Sequence, residues 1–260
     1  MSQDRYVFAI DLARRAGAYA LEYFRKIETL TVESKGHQDM VSEADKDTEI
    51  LVREGIALEY PDDGIVGEEY DPVEGTSGYT WIIDPIDGTA NFVAGIPQWC
   101  VIIACVKDGH KEFGVIYDPC ADECFAAHVG FGAVLNGKAI HASSSDSLSR
   151  GSIGLGFNAR ARKDGVKETV SGILDAGGVF FRNASGGLML AYAASGRLIG
   201  YVEEHMNAWD CFAGLIIAAE AGALHDPVDW QEGIYQGAKI VVGGPNVYQE
   251  IKALTDKTYR

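Results

Sequence analysis

The sequence predicts an α+β first half built on antiparallel strands, joined to an α/β second half. Two segments with helical periodicity open the chain ahead of a series of short strands. The stretch from Trp99 to His141 is cut by the hairpin dipeptides Asp108-Gly109 and Asn136-Gly137, and strand and helix patterns alternate beyond Arg150. With 260 residues, 47% of them hydrophobic, the chain can bury a large core.

The first helix is expected over Arg5–Lys26, because Phe8, Leu12, Ala16, Ala20 and Phe24 recur on one helical face. A short extended piece follows and leads to Ser42. Ser42 precedes the next periodic segment as an N-cap, so a second helix runs to about Tyr60 with Asp45 in its first turn. After Pro61-Asp-Asp-Gly64, Ile65–Glu69 reads as a short buried strand closing on paired acids, and Tyr70–Gly78 as a loop. Trp81-Ile82-Ile83 is the end of a buried strand; Asp84 leaves it, Pro85 stiffens the turn, and Gly88-Thr89 opens a short helix. Trp99–Lys107 and Glu112–Tyr117 form a hairpin, continued by antiparallel strands at Cys124–His128 and Ala133–His141. The Ser-rich stretch 142–150 marks a junction, dividing 1–141 from 151–260, and the two halves make one compact unit. In the second half, strands are expected at Ser152–Phe157, Gly178–Arg182, Leu198–Glu203, Ala223–His225 and Lys239–Val242. Helices are expected at Lys163–Ala176, Ser185–Ser195 and Cys211–Gly222, with a last one at Pro245–Asp256 that has proline in its first turn.

The net charge of −16 argues against electrostatic binding of nucleic acid or of an anionic membrane. No apolar run approaches the ~20 residues that span a bilayer, and the N-terminus lacks the uninterrupted apolar core of a signal peptide. Five cysteines without a CxxC pair read as buried thiols in a reducing cytoplasm.

Chemistry concentrates in Trp81–Phe92 (WIIDPIDGTANF). Asp84 and Asp87, at the carboxyl end of a strand, offer oxygen ligands of the kind Mg²⁺ takes. The amides of Gly88, Thr89 and Ala90 open a helix and can receive phosphate oxygens. Metal beside phosphate points to phosphoryl chemistry. Glu68 and Asp210 extend the set, and together with Asp84 and Asp87 they could form an oxygen-rich cage for two or three Mg²⁺ ions.

Gly-Glu-Glu at 67–69, Asp-Pro-Ile-Asp-Gly-Thr at 84–89 and Trp-Asp-x-x-Ala-Gly at 209–214 resemble the inositol monophosphatase family over essentially the whole chain. The resemblance implies a layered αβαβα sandwich of the inositol monophosphatase / fructose-1,6-bisphosphatase type and a Mg²⁺-dependent, lithium-sensitive phosphomonoesterase. It implies that Glu68, Asp84 and the Ile86 carbonyl bind a first ion. Asp84, Asp87 and Asp210 bind a second, and a third, weaker one sits near Glu68. It implies that Thr89 and Asp45 orient the attacking water, that the Gly88 and Thr89 amides hold phosphate, and that Glu203 meets the substrate's hydroxyls. Lys35 resembles the family's mobile-loop lysine.

There are departures. Family members commonly read Gly-Ser-Ala-Ala where this chain has Ala184-Ser185-Gly186-Gly187, so Gly186 falls where an alanine touches substrate, and two glycines loosen that helix start. Asn207 stands where the animal enzymes carry histidine. Both changes lie on the substrate-alcohol side. The implied reaction is in-line attack of water on a phosphomonoester, with inositol 1-phosphate the expected substrate of a homodimer. Histidinol phosphate, fructose 1,6-bisphosphate and nucleotide 3′-phosphates are the alternatives. A different class of reading is a regulatory partner of the transcription machinery, as some bacterial proteins resembling the family are.

Overall fold

The computed structural model describes residues 2–29, 32–36, 39–158 and 160–259, and the backbone alone between 29 and 41. Helix α1 (Ser2–Phe24) turns Ala9, Leu12, Ala16 and Ala20 inward. Strands β1 (Val32–Gly36) and β2 (Asp39–Ser42), read from the sequence only as an extended piece, pair antiparallel. Helix α2 (Glu43–Glu59) starts at the expected cap Ser42.

Strands β3 (Gly64–Gly67), β4 (Tyr79–Asp87), β5 (Cys100–Lys107), β6 (His110–Asp118), β7 (Glu123–His128), β8 (Ala133–Leu135) and β9 (Lys138–Ala139) follow one another across a seven-stranded sheet. Helix α3 (Thr89–Val93) lies between β4 and β5. Among the described strands of this sheet only β3 and β4 pair parallel, so Glu68 emerges at the edge where β4 also ends. Asp108, Gly109, Asn136 and Gly137 all have positive φ, as the two expected hairpin turns require.

The second sheet, in the order β11-β10-β12-β14-β13, contains β10 (Ser152–Leu155), β11 (Val179–Phe181), β12 (Gly200–Met206), β13 (Leu224–His225) and β14 (Ala238–Gly243). Its helices are α4 (Lys163–Asp175), α5 (Gly186–Ala194), α6 (Ala208–Glu220), α7 (Gly233–Gln236) and α8 (Tyr248–Thr258). The sequence reading missed α7, a single turn too short for a periodic signal. It also started the last helix too early: Val247 and Tyr248 both donate to the Gly244 carbonyl, so Pro245 lies in a turn ahead of α8.

Alternation along the strands builds the layers. Trp81, Ile83, Ile103 and Val115 face Leu12, Ala16, Val52 and Ile56 of α1 and α2. The opposite face, with Ile82, Ile102 and Ile116, packs on α5 and α6, whose Leu190, Phe212 and Ile216 also reach Tyr201, Ile240 and Val242 of the second sheet. Helices α4 and α8 cover the far side of that sheet, bringing Ile173 and Ile251 onto Ile153, Val202 and Val241. The result is the expected αβαβα sandwich, with one apolar cluster shared by both sheets. Asp63 ties the first layer together by accepting both Arg5 Nε (2.7 Å) and Trp81 Nε1 (2.8 Å).

Candidate active site

The aspartate pair rests on an irregularity in β4. The sequence reading has Asp84 leaving the strand, but pairing with β5 continues to Asp87, with Asp84 opposite Ile102 and Asp87 opposite Cys100. Three steps on β4 therefore match two on β5, which defines a bulge. In a regular strand, residues three apart point to opposite faces. The bulge restores both aspartates to one side, and it accommodates Pro85, which has no N–H for the ladder. Gly88 then turns the chain with φ +98°, a left-handed conformation that favours glycine, and α3 begins at Thr89.

Asp210 arrives from the second half, at the third position of α6. Both the backbone N–H and the side-chain amide of Asn207 donate to its Oδ2 at 3.1 Å. Asp45 occupies the same position of α2, where Ser42 N (2.8 Å) and Ser42 Oγ (2.6 Å) donate to its Oδ2. Each of these acids closes a capping box with one oxygen. The other oxygen of Asp45 accepts the Thr89 hydroxyl at 3.0 Å, and that hydroxyl also lies 3.1 Å from the Ile86 carbonyl.

Among the described residues, Asp84, Asp87 and Asp210 bring carboxylate oxygens within 4.8 Å of one another. Burial holds the Asp84 carboxyl well above its ordinary range, and the charges of Glu68, Asp87, Asp210 and Asp45 push it further up. Burial also raises Asp87, although Ser185, Gly187, Cys100 and Gly186 all donate to it. Asp210 is pushed up to about 7, by burial first and by Asp87 second. Oxygen ligands that repel one another in a desolvated pocket form a donor set suited to a hard divalent cation. Glu68 stands outside the tight trio, yet it is the strongest charged neighbour of Asp84. The side chain of Lys35 lies outside the described residues.

Ser185 is a site residue the sequence reading passed over. Its Oγ donates to Asp87 Oδ2 at 2.5 Å, while the amides of Gly187 (2.7 Å) and Gly186 (3.3 Å) donate to the same carboxylate. Ser185 also caps α5 by accepting from Leu188 N at 3.3 Å. The helix start that two glycines were expected to loosen is therefore pinned. A Cβ at Gly187 would meet Ile102 Cδ1 at 2.5 Å and Asp87 Oδ2 at 3.0 Å, so glycine here permits close approach to the acid. At Gly186 a methyl group would meet Met206 Cε at 2.5 Å; Met206 occupies the space an alanine side chain would take. Ala184, where the family pattern has glycine, takes φ +64° and bears the strain of that turn.

Beside the acids lies a cavity of about 170 Å³, whose lining includes Asp87, Asp210, Asn158, Gly186, Glu203 and Met206. Arg182 stands at its wall, stacked 4.3 Å from the centre of the Phe157 ring. Glu203 Oε2 accepts Tyr201 Oη at 2.5 Å, and Oε1 accepts Asn158 Nδ2 at 3.2 Å. Burial pushes the Glu203 carboxyl up to about 8, against the hydrogen bond from Tyr201. Asn158 had no signal in the sequence: it lies in an irregular segment and meets Glu203 only through the tertiary fold.

The folded state holds the Glu203 proton more tightly than the unfolded chain, so in metal-free protein the stability cost grows as pH rises from the ordinary carboxyl range towards about 8, then levels off. Glu203→Gln removes that cost. The melting temperature of the metal-free variant should exceed that of the parent by more at pH 8.5 than at pH 5, at about 2–4 °C for each kcal/mol relieved. A difference independent of pH would show that Glu203 titrates normally.

The model of the inositol monophosphatase family matches residues 1–258. The chain is 32% identical over 246 residues to the inositol-1-monophosphatase of Rhizobium meliloti, covering 94% of this chain and 92% of that one. It is 34% identical over 246 residues to the Nus factor SuhB of Haemophilus influenzae, with the same 94% and 92% coverage. It is 36% identical over 234 residues to the histidinol-phosphatase of Chlorobaculum parvum, covering 90% and 89%. The crystal structure of extragenic suppressor protein suhB from Bartonella henselae superposes with a TM-score of 0.90 at 29% identity, covering 96% of this chain and 97% of that one.

Proposed function

The chain belongs to the inositol monophosphatase family, phosphatases acting on phosphomonoesters, and from that premise we propose that it hydrolyses inositol 1-phosphate to inositol and phosphate with Mg²⁺ as cofactor. One observation carries the reading: the acid trio, the Thr89–Asp45 pair and the Glu203 cavity converge where the end of β4 and the starts of α2 and α6 meet β12. Glu68, Asp84 and the Ile86 carbonyl would hold one ion and Asp84, Asp87 and Asp210 a second, with a third more weakly held near Glu68. When bound, the ions supply positive charge to the phosphate and to the leaving oxygen and lower the pKa of a nearby water.

The chain's own groups do the rest. Asp45 accepts the Thr89 hydroxyl proton, leaving the Thr89 oxygen free to accept a hydrogen bond from water and orient its lone pair towards phosphorus. The capping box fixes Asp45, and burial raises its pKa, so it is suited to take a proton as the water attacks. The Gly88 and Thr89 amides would position the phosphate. Glu203 and Gly186 line the cavity together with Asp210, where the alcohol would lie, and Glu203 can bond its hydroxyls. We read residues 1–141 and 151–260 as two halves of this one catalytic unit, since both contribute acids to the trio.

We further infer a lithium-sensitive homodimer in the cytoplasm. The family resemblance supports lithium sensitivity and the dimer. Five free cysteines fit a reducing compartment. No helix among the described residues is long and apolar enough to cross a membrane.

The test of substrate is kcat/KM for inositol 1-phosphate, histidinol phosphate and fructose 1,6-bisphosphate at fixed Mg²⁺, with inositol 1-phosphate expected to lead. A tenfold lead for histidinol phosphate, about 1.4 kcal/mol in transition-state binding, would overturn the substrate and leave the phosphatase standing. The Haemophilus relative's name favours a second reading, a regulatory partner of transcription. Phosphate release that is absent with and without Mg²⁺ would move the conclusion there.

A further inference from the structure

Glu49 is an acid that the catalytic reading leaves unused. It lies one helical turn after Asp45 on α2, so the same helix face serves both residues. It is completely buried, and its carboxylate is committed to the chain that follows β3. Oε2 accepts the Glu69 amide at 2.8 Å, and Oε1 accepts the Tyr70 amide at 3.3 Å and Arg53 Nε at 2.7 Å. Arg53 in turn donates to the carbonyls of Tyr70 (2.9 Å) and Asp71 (3.1 Å). Residues 69–71 are thus held through two amides and two carbonyls by one ion pair on α2. Gly67 belongs to the same arrangement: a Cβ there would fall inside contact distance of Glu49 Oε1. The glycine of the Gly-Glu-Glu motif is therefore the space that Glu49 occupies.

We propose that Glu49 is a positioning residue, which with Arg53 fixes the peptide following Glu68 and so holds the Glu68 carboxylate beside Asp84. This rests on the reading of Glu68 as a metal ligand. A buried carboxylate accepting backbone amides is a rigid anchor, because releasing it would leave a desolvated charge without donors. Glu68 is the last residue before the anchored amide, so the anchor fixes the backbone from which its side chain extends towards Asp84.

The test uses the full chain, stripped of metal. Mg²⁺ is titrated calorimetrically into the parent, Glu49→Gln and Glu68→Gln, and kcat is followed against Mg²⁺ concentration. Glu49→Gln should weaken Mg²⁺ binding about 10–100-fold, the range for groups that orient metal ligands, and excess Mg²⁺ should restore kcat. Gly67→Ala should give the same signature, and it should add nothing in a Glu49→Ala background, where its methyl group has room. Parent-like Mg²⁺ affinity in folded Glu49→Gln, together with weakened affinity in Glu68→Gln, overturns the positioning role alone. Parent-like affinity in Glu68→Gln overturns the metal reading beneath it. Should Glu49→Gln fail to fold, Arg53→Lys carries the test, and unchanged affinity in that folded variant overturns the proposal equally.

Discussion

Asp84→Asn will abolish phosphate release while leaving a folded protein that is more stable without metal than its parent. Asp84 is the deepest of the three acids, at 1% exposure, and its carboxyl is raised by burial and by Glu68, Asp87, Asp210 and Asp45 in turn. An ionised group in that setting destabilises the metal-free fold, and a neutral amide of the same shape relieves it. The same substitution removes the carboxylate assigned to both ions. We expect kcat to fall by about 10³-fold or more, equivalent to about 4 kcal/mol of transition-state stabilisation. Calorimetric Mg²⁺ binding should weaken in parallel, while the melting temperature in chelator rises. The Asp84 Oδ1 contact to the Ile86 amide, 3.0 Å, survives in asparagine through its carbonyl oxygen, so the bulge should persist. Parent-like turnover by the folded variant would sink the shared-ligand assignment.

Thr89→Ala should have the next largest effect, and it should fall on kcat. The hydroxyl sits between Asp45 Oδ1 and the Ile86 carbonyl, so it has a defined direction before any substrate arrives. A group that orients the attacking water acts mainly in the transition state, and its removal lowers kcat and kcat/KM together. Loss of a positioned proton acceptor is worth about 10²–10⁴-fold. Thr89→Ser keeps the oxygen and should retain most activity. Asp45→Asn should resemble Thr89→Ala, because the amide is a weaker acceptor for the threonine proton. A raised KM with kcat preserved in Thr89→Ala would reduce Thr89 to a phosphate ligand.

Local chemistry was legible in the sequence. The hairpin dipeptides, the cap at Ser42, the acids at 84, 87 and 210 and the alternation after Arg150 each depend on neighbours a few residues away, and short-range sterics and periodicity determine them. What the sequence could not decide was how distant pieces meet. Thr89 reaches Asp45 across 44 positions, and Ser185 reaches Asp87 across 98. The bulge in β4 exists because β5 stays paired with β4 on both sides of Pro85, so a stretch that reads alone as a strand end remains in the sheet. Gly186 and Gly187 looked like a weakness until the fold placed Asp87 against their amides and Met206 and Ile102 in the space side chains would need. Propensity sums over neighbours along the chain, whereas a buried carboxylate takes whatever donors packing brings to it. The identities of the acids and the local capping partners of Asp45 and Asp210 were therefore written in the sequence, while their long-range partners, burial and raised pKa values came from the tertiary structure.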